Sequence, residues 1–184
     1  MKRIILLSLI TISSLSYGQK LVFTEKGFEP VVFQVDTLKS QTIYKRAMDW
    51  VQVTFKNPNE VLKANIKNEL IRLEGFQENA FTRNFKENTL KSGTVIKASK
   101  CDYTISFTLE INIKDGKYRF TYTPHDILVG NKIVRFTFAD IFANIPDMNG
   151  YDYEGCATSL ETNTNKISES LYNYVLGKKE NSNW

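Results

Sequence analysis

His125 is the only histidine in the 184 residues, and it stands between Pro124 and Asp126. An imidazole beside a carboxylate is the raw material of a general base. A base needs a nucleophile and an electrophile-stabilising donor converging on it, and no such groups lie within sequence reach, so the pattern reads as a loop histidine. One histidine with two distant cysteines, Cys101 and Cys156, does not make the ligand spacing of a zinc site. The densest set of oxygen donors is Asp147-x-Asn149-Gly150-x-Asp152-x-Glu154. Calcium accepts such groups, but an EF-hand needs glycine at its sixth loop position and glutamate at its twelfth, and neither falls there. Pro, Asp, Asn and Gly in succession read instead as an exposed turn, in which Tyr151 and Tyr153 either offer a partner surface or cap the core. There is no Gly-rich phosphate loop, no Gly-x-Ser-x-Gly elbow and no paired-cysteine motif. No catalytic residue, metal ligand or cofactor is expected from these patterns.

The compartment is legible at the amino end. Lys2 and Arg3 precede an apolar and hydroxyl stretch from Ile4 to Leu15, then Ser16-Tyr17-Gly18. That is the basic, apolar and small-residue order of a signal peptide, too short to span about 30 Å of hydrocarbon. Cleavage is expected between Gly18 and Gln19, for a periplasmic or secreted product with no integral membrane segment. Removing 18 of the 184 residues leaves 166 and lowers the formal charge from +4 to +2. One domain is the natural count for that length, and the charge is no nucleic-acid footprint. Export permits a disulfide between Cys101 and Cys156; the alternative is two small buried thiols.

The elements that would position any site are dominated by one hairpin. Tyr103, Ile105, Phe107, Leu109, Ile111 and Ile113 alternate with polar residues, Asp115-Gly116 follows, and Tyr118, Phe120 and Tyr122 resume the alternation. Period two marks strands with one buried face, and Asp-Gly favours a two-residue type I′ turn. Counting from that turn sets Lys114 opposite Lys117, Ile111 opposite Phe120 and Leu109 opposite Tyr122. The reverse face then pairs Asn112 with Arg119, Glu110 with Thr121 and Thr108 with Thr123, with Glu110 diagonal to Arg119.

Upstream, Val31, Phe33 and Val35 read as a strand. Ser40 is expected to cap a helix with the stripe Ile43, Tyr44, Ala47, Met48, Val51 and Phe55, ended by Asn57-Pro58-Asn59. Val61 to Asn65 and Leu70 to Phe76 read as two strands. Residues 77–100 read as an insertion loop, with Phe81 and Phe85 at helical spacing and a short strand at Thr94 to Ala98. Val134, Phe136 and Phe138 mark a further strand over Ile133 to Phe138. The last helix is expected to start at Thr158 or Ser159 and stop at Gly177, on the stripe Leu160, Ile167, Leu171, Tyr174 and Val175. Its middle, Thr162 to Asn165, is poor in helix formers and must rely on packing. Residues 19–29 read as a frayed extension, 30–177 as the domain and 178–184 as a polar tail. The simplest assembly is an α+β fold: one antiparallel sheet of five to six strands with both helices on its apolar face.

Several of these residues together resemble a known family, exported bacterial domains of unknown function with a TATA-binding-protein-like fold. They are the strand Val31 to Val35, the pattern Tyr44-x-x-Ala47-x-x-Trp50, Phe55 ahead of Asn57-Pro58, and the heptad Lys114 to Phe120. The resemblance covers Pro30 to Thr123. It implies a curved sheet backed by two helices and an open polar concave face; it brings no catalytic residues. A fold shared with a DNA-binding saddle is no evidence for DNA binding, and Glu110 and Asn112 on the exposed face argue against it, since such saddles need cations and apolar wedges.

The functional expectation is a non-enzymatic envelope module that binds a protein, peptide or glycan through Thr108, Glu110, Asn112, Arg119 and Thr121. The alternatives are a small periplasmic hydrolase built on His125 with nearby carboxylates, and an assembly subunit pairing through an edge strand.

Overall fold

The computed structural model describes residues 19–85, 88–89, 95–146 and 153–178. In chain order the elements are β1 (Phe23–Thr24), β2 (Gly27–Phe28), β3 (Val31–Gln34), α1 (Ser40–Thr54), α2 (Pro58–Val61), β4 (Leu62–Ile66), β5 (Leu70–Phe85), β6 (Asn88–Thr89), β7 (Val95–Ile96), β8 (Ser99–Lys114), β9 (Lys117–Val129), β10 (Lys132–Ile133), α3 (Phe138–Ala143) and α4 (Cys156–Val175). The main sheet has six strands in the order β10-β9-β8-β5-β4, with β3 also on β9. All its pairings are antiparallel.

The hairpin β8–β9 has the register counted from Asp115-Gly116: Lys114 faces Lys117, Ile113 Tyr118, Ile111 Phe120, Leu109 Tyr122 and Glu110 Thr121. Ile105, Leu109, Ile111 and Phe120 are wholly buried. Burying each such side chain contributes about 1.5–3 kcal/mol, which fixes which side of the ribbon is dry. The turn itself departs from the expected type I′, because only Gly116 has a positive φ (75°). Its conformation answers to tertiary bonds. Asp115 Oδ1 accepts from the Ser40 amide at 2.8 Å. Gly116 donates to Leu38 O at 2.8 Å and accepts from Val35 N at 2.7 Å. Ser40 is therefore not the cap of α1: it is the first helical residue, and the hairpin turn supplies the capping carboxylate from 75 residues away. The same bond, helped by Lys39, holds the Asp115 carboxyl below the usual carboxylate range.

Both long helices lie against the apolar face. Ile43, Ala47, Trp50 and Val51 of α1 are buried, as are Leu160, Leu171 and Val175 of α4. The helices are joined where Trp50 Nε1 donates to Ser170 Oγ at 3.1 Å. The weak middle of α4 is held by packing and bonds, as its composition requires: Thr164 is fully buried, and Asn165 pairs with Leu21, its Oδ1 accepting from Leu21 N at 2.8 Å and its Nδ2 donating to Leu21 O at 2.9 Å. Those bonds correct the reading of residues 19–29 as frayed, since Leu21, Phe23 and Phe28 belong to the core. α4 also begins earlier than Thr158, at Cys156, after Gly155 in the left-handed region (φ 76°).

Two further expectations are overturned. Residues 77–85 are not the start of a loop; they continue β5 against Ser99 to Ile105, past an irregularity in which three residues, Glu78 to Ala80, oppose Thr104. Ile133 to Phe138 is not a strand beyond Ile133. Thr137 caps α3 there, its hydroxyl accepting from Asp140 N while Asp140 Oδ2 accepts from Thr137 N, a reciprocal box that turns the chain into a helix.

Candidate functional site

The polar face is built by the three central strands. Across it run the rows Leu70–Asn112–Arg119, Arg72–Glu110–Thr121 and Glu74–Thr108–Thr123. Of the residues expected from the hairpin alone, Thr108, Glu110, Asn112 and Thr121 are half-buried and Arg119 is exposed. They do share one face. The ion pair differs from the expected diagonal: Glu110 Oε1 lies 2.6 Å from both Nε and Nη2 of Arg72. Arg72 was invisible to hairpin reasoning because β5 had to be placed beside β8 before its partner could be named. Asn112 keeps its side-chain amide nitrogen buried and without a hydrogen-bond partner.

A bulge reshapes the far end of this face. His125 and Asp126 on β9 together oppose Ser106 on β8, and such an extra residue bends a strand and re-aims its side chains. His125 Nε2 comes within 2.7 Å of Thr108 Oγ1. Asp126 is engaged elsewhere: its amide donates to Ser106 Oγ at 2.9 Å, and that hydroxyl donates to Asp126 Oδ2 at 3.3 Å. The carboxylate next to His125 in sequence is thus bonded to a serine.

Beside this cluster an open groove of about 640 Å³ runs between the segment following α1 and the edge of β5; Phe55, Lys56, Glu74, Phe76, Ser106 and His125 are among its lining residues. Gly75 is part of the groove lining. A Cβ there would stand 3.4 Å from the Phe107 ring and 3.8 Å from Val61. Phe76, by contrast, is 66% exposed. A half-polar groove with an exposed ring, carboxylates and hydroxyls is suited to holding a polymer segment, and His125 of the histidine–threonine pair is part of its lining.

The remaining candidates lie away from the groove. Cys101 and Cys156 are thiols. The buried Cys156 Sγ donates to Thr82 O at 3.7 Å and the half-buried Cys101 to Asp102 O at 3.9 Å. Near Cys101, burial pushes the Tyr103 phenol up to about 12, with Cys101 adding to the shift and Arg83 opposing it. Arg83 is itself buried, its guanidinium 4.0 Å from the Tyr153 ring centre and 5.0 Å from that of Phe85. Of the oxygen-rich stretch, Asp147, Asn149, Gly150 and Asp152 lie outside the described residues. Among the described residues no cluster of His, Cys, Asp and Glu is arranged to hold a metal, and no helix is long and apolar enough to cross a membrane.

With this geometry in hand, residues 30–125 match the family model described as "Domain of unknown function (DUF4468) with TBP-like fold". Two solved structures share the fold. One is a DUF4468 family protein from Bacteroides ovatus ATCC 8483, 11% identical, covering 88% of this chain and 91% of that one, with a TM-score of 0.52. The other is a TBP-like protein from Parabacteroides distasonis ATCC 8503, 17% identical, covering 86% and 95%, with a TM-score of 0.51. No curated protein matches. At these identities the structures speak to fold alone.

Proposed function

This chain belongs to the DUF4468 family of domains of unknown function with a TBP-like fold, and from that premise we propose that it is a non-enzymatic binding or scaffold module of the bacterial envelope. In this reading residues 1–18 are removed on export, and the polar face carrying Thr108, Glu110, Asn112, Arg119 and Thr121 meets a protein, peptide or glycan partner. The observation that carries it is the placement of both long helices on the opposite face, which leaves three central strands presenting ordered polar rows to solvent. Nucleic acid is outside the reading: the formal charge of +2 left after residues 1–18 is no nucleic-acid footprint, and on this face Glu110 offsets Arg72. The test is capture from the envelope extract of the native host, with the mature chain compared against Glu110→Lys/Arg119→Glu. Loss of specific partners by the folded variant supports the proposal. An identical captured set for both proteins sinks it.

One observation favours a second reading, a small hydrolase: the 2.7 Å contact of Nε2 of the groove-lining His125 with the Thr108 hydroxyl. Turnover of nitrophenyl esters or phosphates that disappears in both His125→Ala and Thr108→Val supports it; turnover unchanged in either variant removes it.

A further inference from the structure

β4 is shorter than the strand it covers. Its last pairing sets Leu62 against Leu73, so from Glu74 onward the outer side of β5 carries no strand among the described residues. The register tells which backbone groups that leaves. Ile113 N donates to Glu69 O at 2.7 Å. In an antiparallel ladder, opposed residues that exchange hydrogen bonds alternate with opposed residues that do not. Odd-numbered residues of β5 up to Gln77 therefore turn their amides and carbonyls toward β8, and Glu74 and Phe76 turn theirs outward. Farther along, α4 closes the edge: Asn163 Nδ2 donates to the carbonyls of Asn79 and Ala80 at 3.2 and 3.1 Å, and Cys156 Sγ to that of Thr82. Covering is the usual treatment of a strand edge. Among the described residues, Glu74 to Glu78 is the piece left uncovered, and the groove lies on it.

The side chains of that piece define an occupant. Outward amides and carbonyls bind an extended backbone, the mode in which a peptide adds itself to a sheet as one more strand. Beside such a strand stand Glu74, the exposed Phe76 ring and Glu78. Residues opposite glutamate gain from positive charge, and a residue opposite phenylalanine gains from apolar bulk. The facing wall carries Lys56, Glu60 and Lys63, both signs of charge, so the β5 side sets the preference. A second copy of this chain is a poor occupant. Antiparallel pairing of two such edges about Phe76 would put Glu74 opposite Glu78 twice, and like charges directly opposed are destabilising.

We infer that the groove binds an extended segment of a partner protein by strand addition along Glu74–Glu78, selecting basic, apolar and basic residues at every second position. This rests on the reading of the chain as a binding module but names a different surface from the polar face. The probe is a labelled peptide with the core Lys-Thr-Val-Thr-Lys, compared with Glu-Thr-Val-Thr-Glu and with Lys-Thr-Pro-Thr-Lys, whose proline removes the amide that would face Phe76. Fluorescence anisotropy with the mature chain is expected to show the basic peptide binding about tenfold or more tightly than the acidic one, weakening with salt, and the proline version not binding. Amide shifts in NMR should concentrate at Glu74 and Phe76. Phe76→Pro removes an outward donor, which an edge strand tolerates, and should abolish binding. Should that variant lose its fold, Glu74→Lys/Glu78→Lys keeps the backbone and should reverse the charge preference. Equal affinity for the two charged peptides, undiminished binding of the proline version, shifts confined to Glu110 and Arg119, or occupation of the groove by a soluble glycan in place of peptide would each overturn the inference. Dimerisation through this edge, seen as a concentration-dependent mass lost in Glu74→Lys/Glu78→Lys, would overturn it too. The wider reading stands or falls separately, on whether the captured partners depend on Glu110 and Arg119.

Discussion

Asn165→Ala isolates the clasp that ties residues 19–28 to the last helix. Asn165 exchanges two hydrogen bonds with the Leu21 backbone, at 2.8 and 2.9 Å, and Leu21 is 0% exposed. A hydrogen bond contributes about 1 kcal/mol net, and a buried group left unsatisfied costs about 1–3 kcal/mol. Alanine is the better helix former, which offsets up to about 0.7 kcal/mol. The net expectation is a loss of about 2 kcal/mol, or a Tm lower by about 4–8 °C for a domain of this size. Thermal unfolding of a chain spanning residues 19–184 followed by circular dichroism reads the global effect, and hydrogen exchange at Leu21 and Phe23 reads the local one. Lys166→Ala, an exposed neighbour on the same helix whose amine bonds only Asn163 Oδ1 among the described contacts, is the control and should stay within about 0.5 kcal/mol. An Asn165→Ala protein with unchanged Tm and unchanged protection at Leu21 would show that the Asn165 clasp does not hold the amino-terminal strands, and the reasoning would be wrong.

Other expectations follow from the buried phenols and the turn. Tyr122 OH donates to Gln77 Oε1 at 2.6 Å, whereas Tyr118 OH is buried with no partner. Tyr122→Phe should therefore cost about 1–2 kcal/mol in chemical denaturation, and Tyr118→Phe should be neutral or stabilising. Burial raises the pKa of Tyr103 to about 12 and those of Tyr118 and Tyr122 further still. A raised folded-state value means full stability below the unfolded value of 10.0 and loss as pH climbs through the folded one, so Tm should hold to pH 10 and fall between 10 and 12, less steeply in the Tyr103→Phe protein. Asp115 works in the opposite sense. Its lowered pKa gives stability present above the usual 3.8 and lost as pH falls below it, and Asp115→Asn should flatten the acid limb of the Tm–pH profile. Arg83→Met exchanges a buried cation, stacked on Tyr153 and Phe85 and hydrogen-bonded to Tyr103, for an apolar chain and should lower Tm; a Tm unchanged within 1 °C would show that these contacts together stabilise no more than apolar packing does.

How much of this was legible in the sequence depended on whether the determining contacts were local. Register across Asp115-Gly116 could be counted because each pair is fixed by distance from the turn, and Ile113–Tyr118 through Leu109–Tyr122 fall where counting puts them. β5 beyond Gln77 could not be read, because Glu78 to Ala80 break the alternation and Arg83 occupies an inward position that composition marks as outward. Phe81 and Phe85 then sit four apart by coincidence, with Phe81 stacked on Tyr103 from the neighbouring strand. At α3 the local signal was present in Thr137-x-x-Asp140, but the apolar alternation of Val134, Phe136 and Phe138 masked it. Of the site, the face was legible and the chemistry was not. Arg72–Glu110 needs strand order, and the contact of His125 with Thr108 needs a bulge that no propensity announces.

The two irregularities beside Ser106 also govern how this chain can change length. Inside the regular parts of β5, β8 and β9, one inserted residue swaps inside for outside along everything downstream. At Glu78 to Ala80, where three residues stand against one, a loss of two restores one-to-one pairing, and at His125-Asp126, where two stand against one, a loss of one does so; Phe81 and Ile127 keep their partners in both cases, while contacts such as those of Asn163 with Asn79 and Ala80 are given up. Small in-frame losses are absorbed there and nowhere else along the ribbon. Since both places border the groove, its contour is the feature of the molecule most open to revision without refolding the rest.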